Sequence, residues 1–104
     1  MSAPKLIADC LRFAELERQY RSAMDTAGTA NRAWSDAEAE CEPILVEMRA
    51  LIPACVEPSA TTLAGQSARA TALASRIDGG ADCGDVFAEP LLAALLRDLM
   101  ALRD

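Results

Sequence analysis

An apolar repeat at alternating three- and four-residue spacing runs from Leu6 to Leu51 and constrains this chain more than any other feature. Positions 6, 9, 13, 16, 20, 23, 27, 30, 34, 37, 41, 44, 48 and 51 read Leu, Asp, Phe, Leu, Tyr, Ala, Ala, Ala, Trp, Ala, Cys, Ile, Met, Leu. Asp9 alone breaks the series. A period of about 3.5 residues keeps one stripe of a helix facing a partner and favours left-handed supercoiling.

The phase persists across Gly28 and Pro43, both of which lie off the stripe. A proline there removes one backbone hydrogen bond and bends the helix without disturbing its contact face. The fold expected is therefore all-α. A long heptad helix over about residues 4–52, bent at Pro43, carries two shorter helices folded back on it in a helical-hairpin or coiled-coil arrangement. The alternative is a compact four-helix bundle with a break near Gly28–Trp34, where Ser35-Asp36-Ala37-Glu38 has the spacing of a capping box.

Pro53 is expected to end the long helix in a stiff turn at 53–58. Ser59 can cap a second helix over about 60–77, and Asp78-Gly79-Gly80 supplies a stop. A last helix over about 86–103, capped by Asp85, carries Leu91, Leu92, Leu95, Leu96, Leu99, Met100 and Leu102, a wide apolar face. At 104 residues the chain has room for a single helical domain. Aromatics are 4% of the chain, so its apolar content is mainly alanine and leucine, the strongest helix formers.

A helix of about 49 residues would be roughly 70 Å long, and the later helices could cover only part of it. The remaining seam, Leu6, Phe13, Leu16, Tyr20, Ala23, Ala27, Ala30 and Trp34, should then be covered by a second copy. A homodimer follows.

Function is less legible. The chain has no histidine, which removes the usual general base and the usual activator of a nucleophilic cysteine or serine. Cys10, Cys41, Cys55 and Cys83 stand 31, 14 and 28 residues apart, with no C-x-x-C pair, and read as packing thiols rather than zinc ligands. Cys41 lies between two glutamates, which disfavour a thiolate. No enzymatic activity, cofactor or metal is expected.

The Gly79–Gly84 loop lacks the lysine and hydroxyl residue of a phosphate cradle. Asp78, Asp82 and Glu89 have the spacing of calcium-loop positions one, five and twelve, but Gly80 and Cys83 occupy defining positions, so a calcium-linked switch is a remote alternative. Leu92-Ala93-Ala94-Leu95-Leu96 matches a groove-docking pattern that any leucine-rich amphipathic helix generates.

The net charge is −6, and residues 35–58 hold six acids against Arg49 alone. Such a surface repels phosphate backbones and excludes direct nucleic-acid binding. It suits a basic protein surface, with Trp34, Asp36, Glu38, Glu40 and Glu47 as the contact face. The function expected is thus a small acidic helical inhibitor or regulator of a partner macromolecule, of the phage or anti-defence type. The alternative is a homo-oligomeric scaffold component. No apolar run is long enough to span a membrane and no secretory leader is evident, so a cytoplasmic location is expected.

Overall fold

The computed structural model describes residues 3–25 and 34–102 and is built from four helices, α1 (Ala3–Asp25), α2 (Trp34–Val56), α3 (Leu63–Asp78) and α4 (Ala88–Leu102). No strand occurs among the described residues. The all-α expectation holds, and the architecture is the four-helix alternative rather than one long helix. Arg12 binds Glu47 and the Cys41 thiol donates to the Tyr20 carbonyl, contacts 35 and 21 residues apart that a continuous helix could never make. α1 and α2 are therefore antiparallel. Leu6 lies near Gly65 and Glu17 reaches Arg76, so α3 runs parallel to α1. Arg69 meets Asp98, with Arg76 bound to Asp85 at the other end, so α4 runs back along α3. The short axis of 17 Å fits about two helix layers at the usual interaxial spacing.

The heptad stripe did identify the buried face. Leu6, Phe13, Leu16, Ala23, Ala37, Cys41 and Met48 are all buried. Partners for the large ones, however, are within the chain: Leu6, Phe13, Leu16 and Met48 form one core with Cys10, Cys55, Ala68, Ala72, Leu73, Phe87 and Leu91. The seam thus offers no open stripe to a second copy, and the argument for a dimer through Leu6, Phe13, Leu16 and Ala23 falls. Phase persists in the sequence because alanine satisfies an apolar register wherever it falls. With 22 alanines in 104 residues, apolar matches at Ala27 and Ala30 carry little information about helix continuity. Those two residues, Gly28 and the Trp34 side chain lie outside the described residues.

Two boundaries also shift. α2 passes through Pro53 and ends at Val56, because Pro53 still accepts a bond from the Glu57 amide on its carbonyl side. The missing donor costs one bond inside a helix already anchored by Met48 and Cys55. α3 is capped by Thr62, whose hydroxyl accepts from the Gly65 amide, rather than by Ser59. At its far end Gly80 has φ of 106°, the Gly80 amide donates to the Ile77 carbonyl, and the Ala81 amide donates to the Arg76 carbonyl. This is the left-handed stop expected of Gly79-Gly80. Asp85 caps α4 as anticipated, accepting from the Phe87 and Ala88 amides.

Candidate interaction surface

Most of the charge that the fold buries is occupied in holding the helices together. Arg69 is wholly buried in α3. Its Nη1 donates to Asp98 Oδ2 at 2.6 Å, its Nε to the Cys55 carbonyl at 2.9 Å and its Nη2 to the Pro58 carbonyl at 2.6 Å. Asp98 Oδ2 also accepts from the Ala60 amide at 2.8 Å, and its Oδ1 accepts from Arg97. One guanidinium and one carboxylate thus fasten the end of α2, the α2–α3 connection and α4 to a single point. The Asp98 carboxyl is held well below the usual aspartate range, first by Arg97, then by the Ala60 amide and Arg69, against the opposing effect of burial.

A second network joins the other end. Arg76 binds Asp85 through two nitrogens, at 2.9 and 3.1 Å, and donates to Glu17 at 3.0 Å. Its guanidinium lies 4.9 Å from the Phe87 ring centroid. Burial pushes the Glu17 carboxyl up, with Arg76 working against the shift. Asp85 goes down, chiefly because Arg76 hydrogen-bonds it. A Cβ at Gly79 would collide with the Glu17 carboxylate, so this corner needs glycine for space. Both networks are structural clamps.

The acidic face read from sequence is only partly available for binding. Asp36, Glu38 and Glu40 are exposed on the first turns of α2. Glu47 is engaged by Arg12 through paired contacts at 2.9 and 3.0 Å, which join α1 to α2. Tyr20, placed on the seam, is half-buried and borders a groove of about 210 Å³ together with Met24, Glu38, Cys41, Glu42 and Leu45. The calcium-loop residues do not converge. Asp82 Oδ1 accepts from the Gly84 amide, and no group of three or more His, Cys, Asp or Glu among the described residues could hold a metal.

The feature that sequence reasoning missed is the outer side of α4. Leu91, Ala94 and Asp98 line its inner face, with Phe87 and Ala88 buried at its start. At about 100° per residue, Leu96, Leu99 and Met100 fall within roughly 100° of one another and away from that inner line, while Leu92 is half-buried against the core. Leu96, Leu99 and Met100 are 50%, 53% and 61% exposed. On α3, Leu63, Ala70 and Ile77 are exposed beside the Arg69–Leu73 line that faces α4. The adjoining Gln66 is buried, and neither polar atom of its amide has a hydrogen-bond partner. Exposed apolar side chains therefore stand on both α3 and α4, with the exposed Glu89 on the same side of α4 as Leu96 and Met100. One sequence signal could have exposed it: five leucines and a methionine from Leu91 to Met100 cover more of the circumference than one core-facing stripe can use.

No helix among the described residues is long and apolar enough to cross a membrane. The chain matches no family model, and neither curated proteins nor solved structures yield a match.

Proposed function

We propose that this protein is a non-enzymatic interaction module that binds a partner protein through the outer face of α3 and α4, as a small acidic inhibitor or regulator. The observation that carries this reading is the second apolar face of α4. Leu96, Leu99 and Met100 stand exposed although α4 has already filled the core with Phe87, Leu91 and Ala94. Exposed leucines clustered on one face, rather than scattered singly, mark contact surfaces. A charge-poor apolar centre is what the buried part of an interface requires.

The exposed acids Asp36, Glu38 and Glu40 have a different part in this reading. They steer a basic partner toward the bundle and give its association a salt dependence, while the leucines supply the contact. The buried carboxylates Asp98, Glu17 and Asp85 are each paired with an arginine and hold the helices together.

The test is affinity capture from the cells that make the protein, using the wild type, Leu96→Glu/Leu99→Glu and Asp36→Asn/Glu38→Gln/Glu40→Gln. The leucine variant should lose the partner while keeping its helical circular dichroism. The charge variant should retain it with weaker salt dependence. Recovery of the same partner in undiminished yield by the leucine variant would overturn the reading. Loss through the charge variant alone would move the contact to α2.

A further inference from the structure

The two longer helices outrun the two shorter ones, and their shared end carries a groove that the main core does not use. α1 and α2 have 23 residues each, against 16 in α3 and 15 in α4. α3 stops where Arg76 binds Glu17 and Gly79 meets Glu17 and Arg21, so the last turns of α1 run on past it beside the first turns of α2. Ala23, Ala37 and Cys41 are buried there but lie outside the cluster that forms the main core. The Cys41 thiol donates to the Tyr20 carbonyl at 3.9 Å and ties the two helices together at this level.

The groove, of about 210 Å³, is lined by Tyr20 and Met24 of α1 and by Glu38, Cys41, Glu42 and Leu45 of α2. Helical periodicity explains the lining. Residues 20 and 24 stand one turn apart on α1, and 38, 41, 42 and 45 share one face of α2. Two chemistries meet in it. Tyr20, Met24 and Leu45 are half-buried and supply aromatic and aliphatic walls. Glu38 and Glu42 are exposed, and neither has an ion-pair or hydrogen-bond partner among the described residues. We propose that this groove receives an arginine side chain from a basic segment of a partner protein, its guanidinium held between Glu38 and Glu42. The site goes beyond the α3–α4 contact and does not depend on it.

Size and charge together select this occupant. Small-molecule sites usually enclose roughly 300–1,000 Å³, so a groove of this volume suits one long side chain. An arginine stem can lie along Met24 and Leu45 while its charged end stays at the rim. Glutamates four residues apart on a helix have Cβ atoms about 6 Å apart, a span that a planar fork of five donors bridges and a lysine point charge does not. A purely apolar occupant would cover the two carboxylates without pairing them, and a phosphate would be repelled. The Arg76 guanidinium lies 5.9 Å from the Tyr20 ring centroid, but Glu17 and Asp85 already balance its charge. The surrounding field has the same sign as the rim: residues 35–58 hold six acids against Arg49 alone.

The test titrates the full chain, labelled with nitrogen-15, with the capped peptide Gly-Arg-Gly-Arg-Gly. Two counterparts carry lysine or citrulline in place of both arginines; citrulline keeps the shape of arginine without its charge. Amide shift changes should concentrate at Tyr20, Met24 and residues 38–45. The lysine peptide should bind more weakly, and the citrulline peptide at least about fivefold more weakly, as expected when two partly solvated ion pairs are lost. Glu38→Gln/Glu42→Gln should lose affinity for the arginine peptide by about the same factor. Glu57→Gln/Glu89→Gln makes the same change in net charge at exposed positions away from the groove, and should stay within about twofold of wild type because salt screens distant charges. All four glutamates are exposed, and unchanged circular dichroism verifies that each variant is folded. No shift changes, changes spread over the whole acidic surface, equal binding of the lysine or citrulline peptide, or equal losses in the two charge variants would each overturn the proposal.

Discussion

Replacing Arg69 with methionine removes the guanidinium on which three segments converge while keeping much of its apolar stem. Three hydrogen bonds are lost, to Asp98, to the Cys55 carbonyl and to the Pro58 carbonyl. Asp98 keeps Arg97 and the Ala60 amide, so its carboxylate is weakened rather than stripped. Breaking one side of a buried ion pair costs about 3–5 kcal/mol, and an orphaned carbonyl about 1–3 kcal/mol more. Arg97 also donates to the Pro58 carbonyl and offsets part of that loss. The expected destabilisation is about 4 kcal/mol, a large share of the roughly 5–15 kcal/mol available to a domain of this size. Urea unfolding followed by far-ultraviolet circular dichroism reads it directly. Arg69→Lys should be intermediate, since a point charge can reach Asp98 but cannot fork to both carbonyls. A loss below about 1 kcal/mol for Arg69→Met would refute the clamp, because that is what a solvated surface pair contributes.

Acid should act through the same clamps. Asp98 and Asp85 are depressed in the folded state, so the stability they contribute is present above the ordinary aspartate value of 3.8 and is lost as pH falls below it. Glu17 is raised, so its effect has the opposite sign: stability is gained as pH falls through its folded pKa. Urea midpoints should therefore hold down to about pH 5 and drop only below about pH 4, with Asp98→Asn showing a shallower drop. At the end of α3, Gly80→Ala should cost about 1 kcal/mol because φ is positive there. Gly79→Ala should cost more, by displacing the Glu17 carboxylate, and Glu17→Ala/Gly79→Ala should recover the part due to collision; equal costs in the Tm of the two single variants would contradict the geometry. Asp85→Ala removes both a helix cap and the bidentate partner of Arg76, and thermal unfolding should show a loss of about 2 kcal/mol.

How far the sequence could be read depends on which residues carried the signal. Large side chains at heptad spacing, Leu6, Phe13, Leu16 and Met48, correctly marked the buried face, because burial of such groups is decided by helix periodicity alone. Continuity of the helix was not decided that way. Alanine satisfies an apolar register whether it packs in a core or not, so Ala23, Ala27 and Ala30 preserved phase across a reversal of chain direction. The glycine stop after α3 and the Asp85 cap were legible because each depends on local backbone chemistry. The Arg69–Asp98 pair was not, since 29 residues separate partners that only tertiary packing brings together. The apolar outer face of α4 lies between these cases: its leucines were visible, but which of them the core would consume depended on where α3 docked.

In the proposed function, the outer face of α3 and α4 is the contact surface. Quantitative mass spectrometry of partners recovered by wild-type protein and by Leu96→Glu/Leu99→Glu, two half-exposed positions whose substitution should change folding stability by less than about 0.5 kcal/mol, tests it most directly. Recovery of the principal partner should fall at least about tenfold in the variant, the loss expected when central leucines worth more than about 1.4 kcal/mol are replaced by charge. An unchanged recovery by a variant with an unchanged Tm would contradict it.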